Sequence, residues 1–269
     1  KIIPFFEKAK FMLGATSHKI TTPGDELLRE YAKNITSEDT FHHNDVGIYF
    51  GKSGETVSDP YFEGKGPDRT GCTLCGGCMV GCRHNSKNTL DKNYLYLAEK
   101  LGVDVIPETQ VTRIIPNESG YEIISKKITY FWGKKVRYYT SGIILSGGVM
   151  GSVKLLFKCK QTTMPKISNQ LGKFISTNNE ALTGVIAPDS SIDYSKGISI
   201  TSGVYPDKNT HIETVRYGAG QDALSTLTTP LVGGGILPRQ LYFIISLFKN
   251  PIKFFTTKFP RNWAKRTTI

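Results

Sequence analysis

The chain has 269 residues with 34 Lys+Arg against 23 Asp+Glu, a net charge of +11; 39% is hydrophobic, 21% charged and 11% aromatic, with 27 Gly and 13 Pro. That length can bury a sizeable core in one large or two small domains, and the composition excludes a disordered, collagenous or low-complexity chain. The apolar run at 241–248 is far shorter than the roughly 20 residues a membrane-spanning helix needs. The opening residues, Lys-Ile-Ile-Pro-Phe-Phe-Glu-Lys, hold neither an initiator Met nor the apolar core of a signal peptide, so the expectation is a processed chain or a piece of a longer one.

Residues 1–32 carry apolar side chains at helical spacing (Phe5, Ala9, Met12, then Leu27, Leu28 and Tyr31), and Pro23-Gly24 reads as a turn between two helices. Residues 51–71, rich in Gly, Pro, Ser and Asp, read as an irregular surface connection. Leu90, Tyr94, Leu97 and Leu101 recur at helical spacing, with Asn88 or Thr89 placed to cap and Gly102 placed to terminate. Strands are predicted at 103–106 and 111–115, followed by a hairpin of 121–131 and 135–145 turning at Trp132-Gly133.

The last of these strands, 142–145, is read as running into Ser146-Gly147-Gly148-Val149-Met150-Gly151-Ser152 and a helix from Val153. A strand, a glycine turn and a helix start leave unpaired backbone N–H groups where a phosphate or cofactor edge can approach, and equally make a plain structural turn. From Glu180 onward strands dominate, at 182–187, 198–205 and 211–217.

The C-terminal stretch from Arg239 holds seven bases and no acid, interleaved with Tyr242, Phe243, Phe248, Phe254, Phe255, Phe259 and Trp263. This fits a solvated face over a packed apolar side, or an amphipathic element touching a membrane surface, better than an arm tracking nucleic acid. No nucleic-acid partner is expected.

Cys72, Cys75, Cys78 and Cys82 form C-x2-C-x2-C-x3-C, with His84 just beyond. The spacing matches the ligand run of bacterial ferredoxins, so these four are candidate iron–sulfur ligands, although Arg83 stands where a Pro is usual and Cys159 is the one cysteine outside the run. Zinc and a metal-free, glycine-bounded loop are the other readings. Clustered thiols favour a reducing, cytoplasmic compartment.

Several blocks together resemble the glucose-methanol-choline (GMC) flavoprotein family, and within it the cholesterol-oxidase branch. Gly81-Cys82-Arg83-His84-Asn85-Ser86-Lys87-Asn88-Thr89-Leu90-Asp91-Lys92-Asn93-Tyr94-Leu95 is similar to the family's glycine/asparagine loop and following helix. Gln110-Val111-Thr112-Arg113-Ile114 resembles the strand whose valine backbone meets the flavin adenine, and 144–152 resembles the second cofactor-contacting turn, with Gly147 at a position commonly Ala. Leu171-Gly172 and Asn178-Asn179-Glu180-Ala181 follow in family order.

The resemblance implies an FAD-dependent two-domain α/β fold, with a partial Rossmann-like FAD domain at 66–158 and a β-sheet substrate domain made from 1–65 and 159–269. It also implies FAD contacts at Asn85, Val111, Gly147, Gly148 and Gly151. The expected reaction is oxidation of a sterol or other bulky hydrophobic alcohol to a ketone or aldehyde. The family's G-x-G-x-x-G fingerprint and its C-terminal His/Asn block are not in the chain, so the expectation is an interior fragment, inactive alone. An iron–sulfur electron-transfer module and a catalytically silent fragment are the alternatives. In the family a substrate-domain glutamate faces the steroid, and Glu213 in His211-Ile212-Glu213-Thr214-Val215 occupies the matching place as candidate catalytic base. Apolar neighbours would suit it to proton transfer; the plain alternative is a surface Glu paired with Arg216 or Lys196.

Overall fold

The computed structural model describes residues 2–129, 132–176, 180–235, 238–259 and 261–269. The end of the expected strand 121–131 and the Asn178-Asn179 pair lie outside them. In chain order the elements are α1 (Ile3–Met12), α2 (Pro23–Asn34), β1 (His42–His43), β2 (Thr56–Val57), β3 (Arg69–Thr70) and α3 (Tyr94–Lys100). Then come β4 (Thr109–Asn117), β5 (Gly120–Lys127), β6 (Lys135–Thr140), α4 (Gly148–Thr162), β7 (Val185–Ile186), β8 (Ile200–Asp207) and β9 (Thr210–Val215). The chain closes with α5 (Arg239–Lys249), α6 (Pro251–Lys258), α7 (Trp263–Arg266) and β10 (Thr267–Thr268). Among the described residues no helix is long and apolar enough to cross a membrane.

The chain forms two compact units, one of Lys1–Gly102 with Ala181–Ile269 and the other of Val103–Glu180. These limits fall elsewhere than the domain limits expected at 65/66 and 158/159: the cysteine loop belongs to the first unit, and all of α4 belongs to the second. The fold mixes helix and strand, but no parallel Rossmann-type sheet stands among the described residues, because every named strand pair is antiparallel.

In the first unit, β1, β8 and β9 form an antiparallel sheet with β8 in the centre. Leu28 and Ala32, one turn apart on α2, pack with Val204 of β8, and Phe41 and Ile212 complete this core. Pro23 does not break the N-terminal helical region as a turn; it stands in the first turn of α2 behind the N-cap Thr22, where its missing N–H costs nothing. The Asp25 carboxylate reaches back to accept from the Thr22 backbone N–H at 2.7 Å, closing the capping arrangement.

In the second unit, β4, β5 and β6 form an antiparallel meander, and α4 packs on it, with Ile114 and Cys159 both buried. Gly120 closes the β4–β5 turn at φ +139, where a Cβ would lie 2.2 Å from the Thr140 carbonyl oxygen, so only glycine fits. Residues 103–106 and 142–145, expected as strands, are irregular. Their apolar side chains are exposed (Val103 53%, Ile144 91%), and no strand among the described residues pairs with them. A run of β-formers becomes a strand only when a ladder accepts its backbone.

The expected helix 90–101 divides into a 3-10 turn at Leu90–Lys92 and α3, separated by buried Asn93, whose side-chain oxygen accepts from the Tyr94 N–H at 2.5 Å. The cap of α3 is therefore Asn93, while Thr89 stands at the N-cap of the 3-10 turn without a side-chain cap bond and Gly102 at φ +91 ends the helix as expected.

Candidate active site and cofactor contacts

Glu213 stands on β9 opposite Gly203 of β8, and Gly203 also pairs with His42 of β1. Strand alternation puts Glu213 and His211 on one face. The Glu213 carboxylate is exposed and accepts a hydrogen bond from the Asn44 side-chain amide at 2.9 Å. Beside it the rings of His42, Tyr205 and His211 stack, with centroids 4.3 to 5.4 Å apart. Gly203 makes this possible: a Cβ there would meet His211 Nε2 at 2.4 Å.

The apolar neighbourhood expected for Glu213 is thus replaced by a polar and aromatic one in this unit, and the expected pairing with Arg216 does not form, because Arg216 is buried against Asp25. Asn44, His42 and Tyr205 escaped sequence reasoning. The one local signal for them was the glycine in the middle of an otherwise filled strand, which marks a close approach.

The expected cofactor residues are placed as follows. Val111 sits at a break in the β4–β5 register, between Val111 and Arg113, where the ladder leaves backbone unpaired. Gly147 is the N-cap of the 15-residue helix α4, with no side-chain cap and no acid in the first turn. Gly148 takes φ +75, and a Cβ on Gly148 or Gly151 would meet nothing within 4 Å, so the helix start is open to an approaching group. Exposed N–H groups at such a start suit a phosphate or the edge of a dinucleotide. The residues present therefore fit one edge of FAD. The strand expected to lead into this turn is not formed.

Asn85, in the first unit, adopts φ +58 and spends its side chain on the protein: Nδ2 donates to the Asp68 carbonyl at 2.9 Å and Oδ1 accepts from Lys92 Nζ at 2.5 Å. Buried Arg69 shares the task. Its guanidinium donates to Asn88 Oδ1 and to the carbonyls of Pro67, Asp68 and Lys92, locking the asparagine loop to the start of α3.

Cys72, Cys75, Cys78 and Cys82 line one small pocket with His84, and all are free thiols. Backbone hydrogen bonds tie the loop down: Gly76 N–H donates to Gly197 O at 2.8 Å, and Gly197 N–H donates to Leu74 O at 2.9 Å. Cys75 is turned to the surface. Among the described residues no three metal-binding side chains gather around a common point, so the iron–sulfur and zinc readings find no support. Burial pushes the Cys72 thiol above the ordinary value. Burial acts the same way on Cys82, but the backbone N–H groups of Ser86, His84 and Lys87 outweigh it and hold that thiol below the ordinary value.

No family model matches the chain. It is 38% identical to a cholesterol oxidase of Acinetobacter baumannii over 277 residues, which cover 98% of this chain and 50% of that protein. It is 36% identical to the cholesterol oxidases of two Mycobacterium tuberculosis strains, CDC 1551 / Oshkosh and H37Rv, over 286 residues, 100% of this chain and 49% of theirs. The chain is thus similar along essentially its whole length to cholesterol oxidases, in line with the resemblance of its sequence blocks. It spans about half the length of the curated relatives it matches.

Proposed function

We propose that the whole protein containing this chain is an FAD-dependent oxidoreductase that oxidises the CH–OH group of a sterol or other bulky hydrophobic alcohol to a ketone or aldehyde. The observation that carries this is the 36–38% identity to cholesterol oxidases along essentially the entire chain. FAD, when bound, supplies the hydride acceptor. Gly147, Gly148 and Gly151 at the start of α4, with the backbone at Val111, would hold its adenine side.

Glu213 is the proposed base for the substrate hydroxyl proton. Asn44 orients its carboxylate, and the neighbouring His42–Tyr205–His211 stack supplies a rigid wall. Peripheral contact with an anionic membrane is part of the same reading. It is supported by the exposed Phe248 (80%) on α5, Ile252 (79%) in the first turn of α6 and Phe259 just after α6, in a stretch without acids. The five free thiols support a reducing compartment.

The test is steady-state product formation by the protein expressed with its flanking coding sequence, against steroid alcohols, sugars and choline. Ketone formation from the steroids alone or preferentially supports the proposal. Turnover of sugars or choline with none of the steroids removes the substrate class.

A further inference from the structure

Four thiols converge on one spot in the first unit. Cys72, Cys75, Cys78 and Cys82 all line a pocket of about 10 Å³, room for roughly one water-sized molecule, and all four are free. The loop that carries them is set firmly. Leu74 takes φ +57 and Gly81 φ +106, and a Cβ on Gly76 would meet the Ser195 carbonyl oxygen at 2.2 Å. On the other side a Cβ on Gly218 would meet the Cys75 carbonyl oxygen at 2.5 Å. The run is therefore gripped between two distant stretches of chain, which keeps its thiols together.

Cys82 differs from the other three in its surroundings. Its sulfur accepts from the Ser86 N–H at 3.4 Å, and the backbone N–H groups of His84 and Lys87 also bond it. His84 and Lys87 belong to the same pocket wall, and Lys87 Nζ donates to the Cys78 carbonyl oxygen at 3.0 Å, so an ammonium group is fixed beside the run. Such donors and a nearby cation favour a thiolate, the nucleophilic form, and Cys82 is half-buried rather than sealed. Cys159, alone in the second unit, is 0% exposed.

We propose that this loop reduces hydrogen peroxide, with Cys82 attacking the peroxide and a second thiol of the same pocket closing a disulfide onto it. The Cys82 sulfur takes one peroxide oxygen, the O–O bond breaks, and the departing hydroxide picks up a proton as water, leaving a sulfenic acid. The second thiol then attacks that sulfur, the S–O bond breaks, and the hydroxyl leaves with the thiol's proton as a second water. Two thiols are oxidised to one disulfide, and one peroxide is reduced to two waters. An external dithiol returns the pair to its starting state by exchange. Neither Glu213 nor the start of α4 takes part, so failure here would leave the oxidoreductase reading untouched.

The test uses the full 269-residue chain, reduced, freed of reductant and kept with a metal chelator. One equivalent of hydrogen peroxide should give a chain lighter by one pair of hydrogens in intact mass, and dithiothreitol should reverse it. Peptide mapping should join Cys82 to Cys72, Cys75 or Cys78 and find Cys159 still reduced. Cys82→Ser should slow thiol loss about tenfold or more, because the remaining thiols lack the donors that favour a thiolate. A chain carrying Cys72→Ser, Cys75→Ser and Cys78→Ser together keeps the attacking residue, and should stop at a sulfenic acid that dimedone traps on Cys82. No disulfide at Cys82 in the unaltered chain, thiol loss at an unchanged rate in Cys82→Ser, or no dimedone adduct on Cys82 in the triple variant would overturn the proposal.

Discussion

Arg216 and Asp25 face each other at 3.7 Å in the interior of the first unit, at 1% and 0% side-chain exposure. The pair is the centre of a polar knot. Asp25 also accepts hydrogen bonds from Thr22, Thr201, Ser202 and Thr214, and Arg216 donates to Thr201 Oγ1 at 2.9 Å and to the Lys196 carbonyl at 3.3 Å. The register shift between Ile200 and Gly203 lets the consecutive residues Thr201 and Ser202 both reach the same carboxylate. Removing one partner leaves a buried charge unpaired. Asp25→Ala is therefore expected to destabilise the chain by about 3–5 kcal/mol, measured by urea unfolding. A loss under about 1 kcal/mol, the range of an exposed ion pair, would show that the pair is not closed off from water.

Acid should unfold the first unit in two steps. Burial, together with nearby His43, keeps His18 below its ordinary value of 6.5, and its Nδ1 accepts from the Ile20 N–H, so the folded state holds it neutral. The unfolded chain takes up that proton first, so stability is full above about pH 6.5 and falls as pH drops through that value. For Asp25, burial alone would raise the pKa, but the hydrogen bonds of Ser202, Thr201 and Thr22 and the Arg216 charge hold it below 3.8. Its contribution is present above about pH 4 and is lost below it. Thermal melts of the chain and of His18→Gln between pH 8 and 3 check this reasoning, expected to lose the upper step only in the variant.

The cysteine loop makes a chemical prediction independent of any metal. Because backbone N–H groups stabilise the Cys82 thiolate while burial disfavours that of Cys72, iodoacetamide should label Cys82 at lower pH than Cys72. Peptide mass spectrometry over a pH series reads the order, and simultaneous labelling would refute the difference in environment.

The basic aromatic segment predicts salt-sensitive adhesion to anionic vesicles. Each base near such a surface contributes on the order of 1 kcal/mol and is screened by salt. Phe248→Asp, on an exposed position of α5, should lower co-sedimentation with anionic liposomes severalfold, and retention should fall as salt rises. Equal retention on neutral and anionic vesicles would remove the membrane contact.

Much of the local structure was legible in the sequence. The β4–β5–β6 meander, strands β8 and β9, and helix α4 were expected from strand composition and from the glycine turn before Val153. The failures share a cause. Residues 103–106 and 142–145 have strand composition, but pairing depends on a neighbour that local sequence does not specify. Pro23 reads equally as a turn or a helix start until the Asp25 contact to Thr22 is seen. The spacing of Cys72 to Cys82 matches a ferredoxin run, yet the loop's shape is fixed by Gly197, far along the chain. Glu213 was singled out through family order alone, and its hydrogen-bond partner Asn44 comes from 169 residues away.

Under the proposed function, bound FAD would supply the hydride acceptor for the alcohol carbon and Glu213 would take the hydroxyl proton. Anaerobic mixing of the flavin-loaded protein, expressed with its flanking coding sequence, with a steroid alcohol tests it most directly. The account predicts bleaching of the oxidised-flavin band with one ketone formed per flavin, and bleaching slowed about 100-fold or more in Glu213→Gln without loss of steroid binding, as expected for a positioned general base. A flavin band unchanged by the steroid, or bleached at the same rate in Glu213→Gln, would contradict it.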